Sequence, residues 1–275
     1  MPELPEVETI VRALRDGGRG GAPILGCRFL GVELLWERTL AVPDVGEFQR
    51  RLPGQKIESI DRCGKFLLFN LSADTLLMHL RMSGDLRVDR VEQPAAPHDR
   101  ALFYLDDGLR LAFNDPRKFG RIWLTADPRE VLAGLGPEPF DPDLTPETLY
   151  LRLQSRRKQI KTLLLDQSFL AGIGNIYADE ALHRAGLHPL RLSDSINPAE
   201  SARLLEGIRA VLEQGILHNG ASLDWAYRGG QFQNQFRVHQ RAGELCYNCG
   251  TLILRQVVGQ RSTYYCPVCQ PADQR

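Results

Sequence analysis

Apolar residues near the start of the chain recur with the period of an α-helix. From Val7 to Leu14 they stand at i, i+3, i+4 and i+7, which places them on one face. Pro5 suits the first helical turn, and Gly17 and Gly18 end the pattern. The sequence therefore predicts an amphipathic helix whose apolar face packs against the body of the protein.

The pattern changes to that of β-strands over residues 24–124. Short apolar runs alternate with breaks that contain glycine or proline, and Asp107-Gly108 between Leu105 and Leu109 favours a tight hairpin. These features predict a β-sandwich that carries the N-terminal helix. The predicted N-terminal domain covers residues 1–126.

A proline-rich acidic stretch follows at residues 127–146. It contains five prolines, a composition typical of a linker. Helical periodicity returns after it, and the predicted helices cover residues 149–157, 160–165, 176–185 and 198–217. Because strands come first and helices second, we predict an α+β multidomain chain whose second domain covers residues 147–240.

Composition and charge narrow the possible partners only a little. The formal net charge is zero, so whole-chain electrostatics do not indicate a nucleic-acid partner, although a nearly neutral protein can still present a basic groove. No apolar run approaches the roughly 20 residues that span a bilayer. The first residues lack the basic and apolar segments of a secretory signal. We therefore expect a cytoplasmic protein with no membrane partner.

Four cysteines near the C-terminus form two pairs with the spacing of a zinc ribbon. Tetrahedral zinc needs four thiolates, and each Cys-x-x-Cys turn offers two of them. Four protein ligands leave no open coordination position, so one structural Zn²⁺ is predicted in a ribbon that covers residues 241–271. The pairs are Cys246 with Cys249 and Cys266 with Cys269.

The residues between the cysteine pairs have the pattern of a β-hairpin. Two segments, 252–258 and 261–265, flank Gly259-Gln260, which suits the turn. Arg261 directly follows this turn. The side chain of Arg261 is therefore placed where it can enter a DNA groove.

Residues 163–187 predict a helix, a glycine-containing turn and a second helix. Gly172 and Gly174 allow the backbone to approach a ligand closely, and Asn175 stands where an N-cap is expected. Free N–H groups at a helix start bind phosphate, and Arg156 lies a short distance upstream. Taken alone, the same residues also fit an ordinary helical hairpin with a normal cap.

The N-terminus offers a nucleophile if Met1 is removed. Pro2 then presents a secondary α-amine, whose pKa of about 7.7–8.0 lies well below the value of about 10.4 for lysine. Attack of this amine on a sugar C1′ gives an iminium, which is cationic without a further proton and can act as the electron sink for strand elimination. Glu3, the next residue, can exchange protons.

These motifs occur in one order that resembles the formamidopyrimidine-DNA glycosylase family. Each motif alone has an ordinary structural explanation, but their ordered combination is specific, and it spans residues 1–270. The matching segments are Met1–Thr9, Gly64-Lys65, His79–Gly84, Asn114–Gly120, Leu135–Pro139, Ala171–Tyr177 and the cysteine ribbon.

The resemblance implies a fold and an activity. The fold is an N-terminal β-sandwich with flanking helices, followed by a helix-two-turn-helix domain and a β-hairpin zinc ribbon. The activity is that of a base excision repair DNA glycosylase and AP lyase, which removes 8-oxoguanine and formamidopyrimidines through a Schiff base at the N-terminal proline. It then cleaves the strand by β,δ-elimination. The implied partner is damaged double-stranded DNA, bound by a monomer.

The resemblance also assigns roles to individual residues. Pro2 is similar to the family's nucleophile and Glu3 to its proton donor for base loss. Lys65 matches the proton donor of β-elimination and Arg261 that of δ-elimination. The residues implied to contact DNA are Met82, His98, Arg117, Phe119, Arg156 and, at the phosphate-binding turn, Asn175. Among these, Met82, Arg117 and Phe119, named the wedge below, resemble side chains that fill the gap left by an extruded nucleotide.

The chain departs from the family pattern in places. Arg81 precedes Met82, where members of the family often carry a small residue. Lys118 follows Arg117, where a second arginine is common. The segment 222–238 is shorter than the family's glycine-rich lesion-capping loop. Its aromatic residues admit two explanations, because they either stack on an extruded base or pack inside the protein. These residues are Trp225, Tyr227 and Phe232.

Two alternative functions stay open from the sequence. One is the related endonuclease VIII type, which acts on oxidised pyrimidines; Leu4 argues against it, since that type usually has glycine there. The other is a damaged-DNA-binding protein without catalysis. The presence of Pro2, Glu3 and Lys65 together argues against that alternative.

Overall fold

The computed structural model describes residues 1–223, 227 and 229–272. The chain divides into two compact units. The first comprises Met1–Ala133 with Asn219–Gly230, and the second comprises Gly134–His218 with Gln231–Arg275. The finer boundaries after residues 126, 146 and 240 stay predictions.

The secondary structure is mixed, with strands concentrated in the first unit. The helices are α1 (Leu4–Asp16), α2 (Val45–Arg51), α3 (Arg129–Leu132), α4 (Pro146–Gln154), α5 (Ile160–Leu164), α6 (Asn175–Ala185) and α7 (Pro198–Leu217). The strands are β1 (Phe29–Leu34), β2 (Leu40–Val42), β3 (Ile57–Cys63), β4 (Phe66–Leu71), β5 (Thr75–His79), β6 (Asp85–Arg90), β7 (Asp99–Leu105), β8 (Leu109–Asn114), β9 (Arg121–Thr125), β10 (Leu254–Val258) and β11 (Arg261–Tyr265).

The strands of the first unit form two sheets around a shared core. One sheet has the order β1-β7-β8-β6 and is antiparallel throughout. The other has the order β2-β9-β5-β4-β3, in which only the β2-β9 pair is parallel. A continuous buried cluster contains side chains of both sheets and of α1. The predicted α+β class with N-terminal sheets is confirmed.

Helix α1 forms as its periodicity predicts. Its apolar stripe, from Val7 to Leu14, is buried in the core of the first unit. Pro5 lies in the first turn, and the helix ends before Gly17, whose φ of +85° is a left-handed conformation that glycine adopts readily. The predicted hairpin between β7 and β8 also forms, with a single turn at Asp106–Gly108.

The second unit is helical with a small β-hairpin. Helix α6 packs on α7, where Gly207 allows the close approach. Helix α4 begins at residue 146 rather than 149, because Thr145 and Thr148 form a capping box ahead of the apolar positions. Strands β10 and β11 pair with Val258 opposite Arg261. Within the described residues, no helix is both long and apolar enough to cross a membrane.

The opposite faces of β1 give a matched stability test. Phe29 is fully buried and meets the ring of Phe103 edge to face at 5.9 Å, whereas the adjacent Leu30 is 63% exposed. We expect Phe29→Ala to lower the free energy of unfolding by about 3–5 kcal/mol, because it leaves a cavity in the core. Leu30→Ala should change it by about 0.5 kcal/mol or less. Equilibrium urea unfolding, followed by far-UV circular dichroism, measures both, and equal effects would contradict this description of the core.

Candidate nucleic-acid interface and metal centre

The N-terminal residues are held at the start of α1. Pro2 and Glu3 are both buried. Glu3 is the N-cap and forms a capping box with Glu6, in which the Glu3 backbone N–H donates to Glu6 Oε2 at 2.7 Å. The other Glu6 oxygen accepts from the backbone N–H of Ala221 at 2.7 Å. The predicted nucleophile and its neighbouring carboxylate therefore occupy a fixed position in the first unit.

Lys65 lies at the turn between β3 and β4, directly after Gly64 with its φ of +57°. Its side chain is buried. Burial, with the nearby charges of Arg81 and Lys65, lowers the pKa of His79 to about 3. The Arg81 backbone N–H donates to His79 Nδ1 at 3.0 Å. His79 is therefore a neutral imidazole beside the predicted lysine. From the sequence, His79 was identified only as the first residue of the matching segment His79–Gly84.

The wedge and His98 lie on neighbouring loops of the first unit. Met82 and Phe119 are large apolar side chains with 37% and 48% exposure, and the Arg117 guanidinium lies 5.0 Å from the Phe119 ring centroid. Ser83 Oγ accepts from the Arg117 backbone N–H at 3.2 Å, which joins the loop of Met82 to that of Arg117. An exposed cluster of apolar and cationic groups suits insertion between DNA bases.

Arg156 lies just after the C-terminal end of α4 and is exposed. Its neighbours are paired, since Arg157 meets Asp194 at 3.6 Å and Lys158 meets Asp166 at 3.5 Å. Among the described residues, the Arg156 guanidinium has no such acidic partner. Its charge is thus available for a phosphate.

The structure corrects the position predicted for Asn175. Gly174 is the N-cap of α6, with extended dihedrals of −128° and −159°, and Asn175 is the first helical residue. Since glycine occupies the cap, the Asn175 side chain turns to the zinc ribbon, where Nδ2 donates to the Ser262 carbonyl at 3.0 Å. Its Oδ1 is buried and lacks a hydrogen-bond partner among the described residues.

A buried ion-pair network fixes the residue next to Arg261. Lys161 Nζ donates to Asp179 Oδ1 at 2.6 Å, to Thr263 Oγ1 at 2.8 Å and to the Ser262 carbonyl at 3.0 Å. The second Asp179 oxygen meets His239 Nδ1 at 2.8 Å. The Ser262 carbonyl thus accepts from both Lys161 and Asn175. The spacing of residues in the sequence could not predict this network, because its members are far apart along the chain.

The cysteines of the ribbon cluster as predicted, with all four Sγ atoms within 4.8 Å of one another. Hydrogen bonds from Thr251 lower the pKa of Cys249 to about 6, which favours the thiolate that binds metal. The cluster fits one structural zinc. The ring of His183, a buried residue near the end of α6, places Nε2 3.6 Å from Cys246 Sγ.

The aromatic residues between Ser222 and Val238 pack inside the protein where they are described. Tyr227 belongs to the core of the first unit, and its hydroxyl donates to the Asn219 carbonyl at 2.6 Å. Phe232, in the second unit, stacks on Tyr177 with ring centroids 5.2 Å apart. For these two residues the expectation that they stack on an extruded base is wrong, because both rings are already covered. Trp225 lies outside the described residues.

Comparisons with known proteins cover nearly the whole chain. Residues 1–122 match the formamidopyrimidine-DNA glycosylase N-terminal domain, residues 135–226 its H2TH domain, and residues 243–272 a zinc finger found in FPG and IleRS. The formamidopyrimidine-DNA glycosylase of Chloroflexus aurantiacus is 47% identical, with 98% of each chain covered.

Solved structures of similar proteins agree with this match. The Lactococcus lactis Fpg in complex with DNA containing an abasic site is 32% identical with a TM-score of 0.89, covering 98% of this chain and 99% of that one. A complex of the Lactococcus lactis protein with Fapy-dG containing DNA has the same identity and TM-score, covering 98% and 100%. The chain therefore belongs to the formamidopyrimidine-DNA glycosylase family.

Proposed function

We propose that this protein excises oxidised purines from double-stranded DNA and cleaves the strand through a covalent intermediate on Pro2. The family is one of DNA glycosylases with AP lyase activity, which act in base excision repair. The complexes of the Lactococcus lactis relative with Fapy-dG and abasic-site DNA support the substrate class. The observation that carries the proposal is the fixed placement of Pro2 and Glu3 at the start of α1.

The chemistry follows from the amine and the groups near it. After removal of Met1, the Pro2 nitrogen forms a bond to C1′, the bond from C1′ to the base breaks, and Glu3 supplies a proton for base loss. The bond from C1′ to O4′ then breaks, O4′ takes up the proton that the Pro2 nitrogen loses, and an iminium remains between Pro2 and C1′. A base removes a C2′ proton, and the electrons of that C–H bond convert the iminium to an enamine. The enamine expels the 3′-phosphate as the bond from C3′ to oxygen breaks.

Lys65 and Arg261 are proposed to supply the protons of the two elimination steps. Lys65 is buried at a tight turn, so its side chain has little freedom to move. Arg261 is exposed at the start of β11, and the next residue is fixed by Lys161 and Asn175. A proton donor needs such fixed placement, since proton transfer depends on geometry before it depends on pKa.

The DNA contacts are proposed to divide into phosphate and base-stack groups. Arg156 and the turn at Asn175 hold phosphates, which position the DNA without reading its sequence. Met82, Arg117 and Phe119 replace part of the stacking lost when the damaged nucleotide leaves the helix, and His98 contacts DNA beside them. We further propose that the protein acts as a monomer in the cytoplasm. Sedimentation at several protein concentrations measures the oligomeric state.

The first test concerns the Pro2 amine. Protein that retains Met1 carries an amide at Pro2, so we expect no borohydride-trapped adduct with lesion DNA. Pro2→Gly should reduce trapping by about tenfold or more, because a primary amine gives an imine that must gain a proton before it becomes a cation. Both should still bind abasic-site DNA.

Pro53→Gly is the matched control for this test, since it makes the same substitution between α2 and β3, outside the helical turn that holds the terminal amine. It should keep its trapping activity. Undiminished trapping by the protein that retains Met1 would identify Lys65 or another amine as the nucleophile.

The second test removes a zinc ligand. Cys249→Ser should lose zinc and weaken binding to lesion DNA by about tenfold or more, because the hairpin that carries Arg261 loses its closed tetrahedral site. Zinc content and fluorescence anisotropy of labelled DNA measure the two effects. Cys27→Ser, which changes a cysteine of the first unit outside the four-cysteine cluster, should leave DNA binding unchanged. Full DNA affinity in metal-free protein would exclude this role for zinc.

The third test concerns phosphate binding. Arg156→Ala should weaken binding to damaged and undamaged DNA alike and lower the slope of log affinity against log salt by about 0.9, the value for one lost phosphate contact. Arg129→Ala serves as the control, because Arg129 is an exposed arginine paired with Asp127 at 2.6 Å. An unchanged salt slope combined with a shifted lesion preference would show that Arg156 contacts bases instead.

A further inference from the structure

Asp115 is a fully buried carboxylate that stands between β8 and β9. Its Oδ1 accepts from the Ser83 hydroxyl and, at 3.2 Å, from the Arg117 backbone N–H. Its Oδ2 accepts from the Gly120 backbone N–H at 2.7 Å. Among the described residues it forms no ion pair, so neutral hydrogen-bond donors alone satisfy the carboxylate.

The backbone of Asp115 extends the same network to a further loop. Its N–H donates to the His98 carbonyl at 3.0 Å. Its carbonyl accepts from Arg100 Nε at 2.7 Å and from the Lys118 N–H at 3.3 Å. Asp115 therefore joins the loops at residues 80–84, 96–98 and 115–120.

These loops carry the four residues of the first unit that are proposed to contact the DNA outside the reacting sugar, namely Met82, His98, Arg117 and Phe119. Met82 is adjacent to Ser83, and the carbonyl that accepts from Asp115 belongs to His98 itself. The backbone N–H of Arg117 donates to the carboxylate, and Phe119 precedes Gly120, whose N–H donates to the other carboxylate oxygen. The hydrogen-bond partners of Asp115, reached through its carboxylate or its backbone, are thus either the proposed DNA-contacting residues or their immediate neighbours in sequence.

The loops also hold backbone conformations that need support. Arg81, His98 and Lys118 have φ values of +54°, +75° and +60°. Residues other than glycine rarely adopt such positive φ values, and these backbone conformations persist where surrounding contacts fix them. A Cβ at Gly120 would collide with the Phe113 ring, so the loop can close over Asp115 only with glycine there.

We infer that Asp115 is the positioning residue of the wedge. It fixes the loops so that Met82, Arg117 and Phe119 are already arranged for insertion before DNA binds. Without the carboxylate, its donors lose their common acceptor and the loops populate other arrangements, so only a fraction of molecules is ready to replace the lost base stacking. The inference rests on the proposed function, since it assumes that these side chains enter the DNA.

The effect of Asp115 should be separable from the chemistry. The proposed nucleophile and its carboxylate are at the start of α1, and the hydrogen bonds of Asp115 go to other loops. A change at Asp115 should therefore slow base extrusion and leave the reactivity of the Pro2 amine unaltered.

The test compares substrates that do and do not require extrusion. Borohydride trapping under single-turnover conditions is measured on duplex DNA with a formamidopyrimidine and on a single-stranded oligonucleotide with an abasic site. For Asp115→Ala we expect trapping on the duplex to fall by about tenfold or more, and trapping on the single strand to stay within about twofold of wild type. A 2-aminopurine beside the lesion should show a slower fluorescence rise in the same variant.

Two further variants guard against simple misfolding. Asp115→Asn keeps one acceptor oxygen and should show a smaller defect of the same kind. Ser83→Ala removes a single donor from the carboxylate and should again affect the duplex alone. Each variant is checked for wild-type circular dichroism and zinc content.

The possible results have distinct meanings. Equal losses on both substrates, or no loss on the duplex in Asp115→Ala and Ser83→Ala, would overturn the positioning role while leaving the proposed function intact. Absence of trapping on either substrate by the wild-type protein would overturn the proposed function, and the inference with it.

Discussion

The capping box between Glu3 and Glu6 is the contact on which the proposed chemistry depends. A chain terminus is normally mobile because nothing holds it. Here the first turn of α1 holds the residues beside Pro2, and the second Glu6 oxygen holds the backbone of Ala221, more than 200 residues later in the chain. A reactive amine at a terminus can act as a precise nucleophile only when it is held in this way.

In the second unit, a buried ion pair holds the zinc hairpin in place. Burying Lys161 is costly, and Asp179 and the hairpin atoms offset that cost by satisfying its ammonium group. Removing one partner of such a pair leaves an unpaired charge, which is more damaging than losing a surface contact. The network therefore fixes the backbone of the zinc hairpin at Ser262 and Thr263. Arg261, the preceding residue, is exposed but starts from this fixed backbone.

The sequence predicts features that are encoded locally. The zinc cluster follows from cysteine spacing, and α1 follows from periodicity, since each depends on residues close together in the chain. Prediction was less accurate where a cap competes with the apolar pattern. Helix α4 starts three residues early because of Thr145, and Gly174 takes the cap expected at Asn175.

Long-range contacts were beyond the reach of sequence patterns. Asp115 stands in an Asp-Pro turn, and nothing in that dipeptide indicates that Ser83 will meet it. Tyr227 lies in a segment whose aromatic residues have two explanations from the sequence, and the structure decides between them by placing its ring in the core. In both cases the partner is set by tertiary packing, so the residue's neighbours in sequence carry no information about it.

The ligands of the zinc cluster differ in their exposure to solvent. Cys246 and Cys266 are buried, Cys269 is partly covered and Cys249 is exposed. Thiolate oxidation depends on access as well as on charge. Peroxides and other small oxidants therefore reach Cys249 before they reach the buried Cys246 and Cys266. Oxidation at Cys249 would remove one of the four thiolates that the metal needs, so the integrity of the hairpin that carries Arg261 depends on the redox state of one solvent-exposed sulfur.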